Sequence, residues 1–74
     1  MKIYLLMVSR NRNQEQTAEF AYFDKELADK HCKSWNSLQE EKDRADAKEV
    51  GIEYEEWVGA YVDYAFVEQV EIIN

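Results

Sequence analysis

The sequence predicts an α+β domain of order β-β-α-β, and three features of it carry that reading. Residues 3–8, Ile-Tyr-Leu-Leu-Met-Val, are apolar on both parities, as in a strand with neighbours on each side and both faces partly covered. A stretch opening at Asp24 repeats its apolar residues at helical spacing. After Gly59, residues 61–73 return to strand-forming and aromatic residues. At 74 residues the chain is a single domain, near the lower size at which a hydrophobic core alone holds a fold.

Taken in order, residues 3–8 predict the central strand. Residues 9–16 are polar throughout and read as a solvated hairpin loop, after which 17–23 form a second strand antiparallel to the first. Asp24 is placed to cap a helix, with Glu26 set against the positive end of its dipole. Leu27, Ala28, His31, Cys32, Trp35 and Leu38 fall within one arc of that helix and predict its buried stripe. Beyond Leu38 the apolar stripe stops, so 39–49 is either a solvated extension or a second short helix, with Ser37 and Glu40 at capping-box spacing. A continuous helix over 24–49 spans roughly 38 Å against about 27 Å for an eight-residue strand. Its second half must therefore project, bend back or meet another molecule.

Gly51 is the expected helix stop and Gly59 the next turn, with one or two helical turns between them. In 61–73, Val62, Tyr64, Phe66, Val70 and Ile72 share one parity, so Tyr64 and Phe66 read as core residues. Glu68 interrupts that set, which a bulge or the strand leaving the core there would accommodate. A right-handed crossover through the helix leaves the first strand in the middle, giving sheet order 2-1-3 with one face covered and one open.

Charge is distributed unevenly. The first 48 residues hold nine acids and nine bases, whereas residues 49–74 hold seven acids and no Lys or Arg, so the net charge of −7 arises entirely there. Tyr54, Trp57, Tyr61, Tyr64 and Phe66 are interleaved with those acids. Such a surface argues against direct binding to nucleic acid or anionic lipid, both of which reward Lys and Arg, and favours a basic protein partner. The residues placed at that partner surface are Glu53, Tyr54, Glu55, Glu56, Trp57, Tyr61 and Asp63. Aromatic side chains there supply contact area at low entropic cost, and carboxylates steer a basic partner in.

Nothing in the sequence carries a reaction. His31 and Cys32 are the only soft metal ligands, and as neighbours on a helix they diverge by about 100°, so neither a zinc site nor a Cys–His nucleophile forms from them. His31 reads as a half-buried packing residue. With two glycines there is no phosphate-cradling loop, and no cofactor is expected. Arg10 and Arg12 flank Asn11; such a guanidinium pair can grip phosphate or carboxylate, and the favoured reading is a solvated loop whose arginines prevent edge pairing. The lone cysteine fits a reducing cytoplasm, and the six-residue apolar run is far shorter than a membrane span.

In size, acidity and aromatic-acid content across the whole chain, the sequence resembles the small anti-defence proteins of phages, namely anti-CRISPR proteins and DNA-mimicking anti-restriction proteins. The resemblance transfers no functional residue. It implies a stoichiometric inhibitor working in the host cytoplasm, whose carboxylates occupy a basic groove of a host nuclease. A structural or regulatory homodimer, its acidity serving solubility, is the alternative. A small-ligand site at Tyr22, Trp35 and the Arg10/Arg12 loop is a third.

Overall fold

The computed structural model describes residues 1–10 and 15–73. The predicted hairpin loop, with Arg12, lies largely outside the described residues. Five elements follow in the expected order: β1 (Lys2–Arg10), β2 (Glu15–Tyr22), α1 (Lys25–Val50), α2 (Tyr54–Tyr61) and β3 (Asp63–Glu71). β1 is central and pairs antiparallel with both neighbours, giving the sheet order β2-β1-β3. The β1–β3 ladder continues to the end of the chain, where Ile72 N–H donates to the Met1 carbonyl at 2.7 Å.

The two ladders differ in regularity. β3 runs against β1 in unbroken register, so no bulge forms at Glu68. The irregularity lies in β2 instead: Leu6 pairs with Phe20 and Met7 with Ala18, leaving Glu19 as the extra residue. Arg10 holds this residue in place, donating to Glu19 Oε1 at 2.8 Å and to Thr17 Oγ1 at 3.0 Å.

Helix α1 begins where the sequence places it, with Asp24 Oδ1 accepting from Glu26 N–H at 2.9 Å. It is one continuous helix of 26 residues, so the capping-box pattern at Ser37 does not break it. Gly51 ends it with φ +85°, the left-handed conformation that favours glycine, and Gly51 and Ile52 donate back to the carbonyls of Lys48 and Ala47. Gly59, by contrast, lies inside α2 and marks no turn.

The core sits between α1 and one face of the sheet. Leu6, Val8 and Ala65 are buried together, with Cys32 and Trp35 packed over them. Two expectations about this core are corrected. Leu27 and Leu38 are 53% and 67% exposed, because the helix turns Ala28, Cys32, Trp35 and Asn36 towards the sheet and leaves both leucines outside the contact. In β3 the residue facing the helix is Ala65, so Tyr64 and Phe66 point to the opposite, open face.

Asn36 shapes the edge of the sheet. Its Nδ2 donates to the Ala65 carbonyl at 3.0 Å, and its Oδ1 accepts from the Ala65 N–H at 2.8 Å. One side-chain amide thus satisfies both outward backbone groups at that point of the edge strand, as a neighbouring strand would. Cys32 donates its thiol to the same carbonyl at 3.4 Å. Burial pushes the Cys32 thiol above its ordinary value and Asp29 adds to this, while the Asn36 hydrogen bond opposes it.

Candidate interaction surface

The part of α1 that overshoots the sheet is met by the chain itself. Among the described residues helix α2 packs back on α1 and on no strand, forming a helical hairpin at one end of a molecule 52 Å long. The joint is polar. Asp43, only 4% exposed, accepts at Oδ1 from Trp57 Nε1 and from Gln39 Nε2, each at 3.1 Å. Beside it the Arg44 guanidinium lies 4.0 Å from the centre of the Tyr54 ring while donating to Glu40 at 3.0 Å. Ala47, also buried, lies one turn beyond Asp43.

This arrangement divides the predicted surface residues. Glu53, Glu55 and Glu56 are exposed, and among the described residues they have no ion-pair partner. Glu55 and Glu56 occupy the first turn of α2, where the helix dipole favours negative charge. Tyr54 and Trp57 are half-buried and face α1, so a large part of their aromatic area is used within the chain. The Tyr61 side chain lies outside the described residues. Asp63 is half-buried at the start of β3, opposite Arg10 in the ladder. The structure therefore gathers Glu55 and Glu56 on one short helix and Glu53 just before it, with Tyr54 and Trp57 as its anchors.

Asp43, Gln39 and Arg44 were absent from the expected site, and they hold it together. One signal for them exists in the sequence: Ala28, Cys32, Trp35, Gln39, Asp43 and Ala47 recur at intervals of three or four, continuing the buried stripe through two polar positions. Residues 39–56, which make the hairpin apart from the end of α2, carry eight acids and three bases, so most of the molecule's negative charge is concentrated at this end.

The third arrangement considered is a ligand site at Tyr22, Trp35 and the Arg10/Arg12 loop, of which Arg12 lies outside the described residues. Tyr22 Oη lies 2.6 Å from His31 Nδ1, Trp35 packs on the core, and Arg10 is engaged by Thr17 and Glu19. Phe20 also packs on His31, with ring centres 4.7 Å apart. Among the described residues no group of His, Cys, Asp and Glu is placed to hold a metal ion, and no helix is long and apolar enough to cross a membrane. No protein-family model matches the chain, and neither does any curated protein or solved structure.

Proposed function

We infer that this chain is a non-enzymatic interaction protein that docks its acidic helical end onto a basic surface of another protein. The observation supporting this is the anchoring of α2: Trp57 and Tyr54 are held against Asp43 and Arg44, so Glu55 and Glu56 project from a fixed helix and Glu53 from the residue before it. With the backbone that carries them already anchored, docking these carboxylates costs the entropy of their side chains and little of the backbone. An array of them displaces counterions from a Lys/Arg groove by the same electrostatic exchange that a phosphate backbone makes. The partner is then a nucleic-acid-binding protein, and the effect is stoichiometric occlusion of its groove.

The test is capture of basic nucleases on the immobilised full chain across a salt series, with a nucleic-acid substrate as competitor. Binding is expected to fall steeply with salt, to be displaced by nucleic acid, and to weaken several-fold when Glu55 and Glu56 are both changed to Gln. Salt-insensitive capture, or failure to retain any such nuclease at low salt, would sink the proposal.

A further inference from the structure

We propose that Asn36 guards the edge of the sheet: its side-chain amide takes the place of a fourth strand at Ala65 and prevents the chain from adding β3 to the β3 of a second copy. Asn36 belongs to α1, 29 positions from Ala65, yet its Nδ2 donates to the Ala65 carbonyl at 3.0 Å and its Oδ1 accepts from the Ala65 N–H at 2.8 Å. Such a two-bond exchange is what directly opposed residues of an antiparallel ladder make. The Cys32 thiol adds a further contact to the same carbonyl.

The position of this contact matters, because β3 lacks the other safeguards of an edge strand. It is nine residues long, runs against β1 in unbroken register, and contains no Lys, Arg or Pro. Its acids stand at Asp63, Glu68 and Glu71. Between the first two lies the uncharged run 64–67, Tyr-Ala-Phe-Val, with three strand formers around Ala65. The amide of Asn36 therefore sits where charge gives no protection. The opposite edge is guarded by other means: the bulge at Glu19, held by Arg10, interrupts the register of β2.

The pairing that Asn36 blocks is defined by the strand itself. With the amide gone, the outward groups of Ala65 can exchange both bonds with Ala65 of a second copy across a two-fold axis. Antiparallel pairing about that point sets Tyr64 opposite the second copy's Phe66 and Asp63 opposite its Val67. Glu68 falls opposite Val62. The aromatic pair forms twice, and no two acids stand directly opposed. The acids of β3 thus do not exclude this register, whereas the amide occupies its central pair of hydrogen bonds.

Sedimentation of the full chain and of Asn36→Ala from about 1 µM to about 100 µM tests this. The unaltered chain should stay at 8.8 kDa throughout, while Asn36→Ala should associate at least ten-fold more tightly and reach twice that mass. Alanine is the better helix former, so the exchange does not weaken α1 itself. Asn36→Leu fills the space without either hydrogen bond; it should associate in the same way, and it carries the test if the smaller side chain impairs folding. Adding Tyr64→Lys puts a charge into the uncharged run and should return either variant to a monomer. In the associated state the Ala65 amide should regain protection from hydrogen exchange, which a loss of stability alone does not produce. Folded variants that remain monomeric at every concentration overturn the proposal, since α1 then shields the edge without the amide. Association that survives Tyr64→Lys, or that leaves the Ala65 amide unprotected, overturns it as well. So does an unaltered chain that already pairs through β3.

Discussion

The two halves of α1 are held by opposite means. The first half lies on the sheet through apolar contact, Cys32 and Trp35 over Leu6 and Val8, with Asn36 tying it to the edge of β3. The second half extends past the sheet and is held by α2 through a buried carboxylate, a tryptophan N–H and an arginine over a tyrosine ring. A two-turn helix on an overshooting helix buries little area and needs specific polar contacts to fix its orientation. The first half supplies stability and the second supplies a shape. Dependence should therefore run in one direction: the hairpin needs the sheet, and the sheet can survive loss of the hairpin.

The largest effect expected is that of Leu6→Ala. Removing a fully buried leucine costs about 2–5 kcal/mol, a large share of the roughly 4–11 kcal/mol available to a chain this long. Both ends should melt together at a much lower temperature, because neither helix is stable without tertiary contacts. Thermal unfolding followed by circular dichroism measures this. A hairpin that kept its helicity after the sheet was lost would reverse the stated dependence.

Asp43→Ala should have a smaller and local effect. It leaves the Trp57 N–H and the Gln39 amide without their shared acceptor, at a cost of about 1–3 kcal/mol. Amide exchange across 54–61 should accelerate while the β1 amides remain protected, and the Trp57 indole N–H should exchange faster with water. Asp43→Asn retains a carbonyl acceptor and should lose clearly less. Equal loss of protection in β1 and α2 would show that the two ends are one cooperative unit.

The same contrast explains what could be read from the sequence. The strand order was legible from a first strand apolar on both parities and the right-handed crossover rule, and the cap at Asp24 and the stop at Gly51 from local chemistry: a side-chain acceptor and a positive φ. The helix stripe was only partly legible. Hydrophobicity alone selects Leu27 and Leu38, yet the contacts made by α1 use Asn36 and Asp43, polar residues whose partners are Ala65 and Trp57, 29 and 14 positions away. No local pattern shows that a polar residue will find its partner at that distance. The parity of β3 was misread for a related reason. Tyr64 and Phe66 are the larger apolar residues, but the close approach of α1 to the edge leaves room for Ala65 beneath it, and the aromatics take the open face. The acids of α2 were legible as charge, whereas their anchoring through Asp43 was not.

The smallest effect tests whether the bulge in β2 is held electrostatically. The Glu19 carboxyl is held below its ordinary value, first by the Arg10 hydrogen bond and then by that of Thr17. Because the folded value is depressed, the associated stabilisation is present above the ordinary glutamate range and is lost as pH falls through the lowered value. The pair is solvent-exposed, so its effect on thermal stability should be slight and should shrink further in high salt. Carboxyl NMR should show Glu19 titrating below the ordinary glutamate value, and Arg10→Gln should raise it back towards that value. If Glu19 titrates at the ordinary glutamate value in the unaltered chain, Arg10 does not hold the bulge, and the distortion of β2 must then come from its backbone register with Leu6 and Met7 alone.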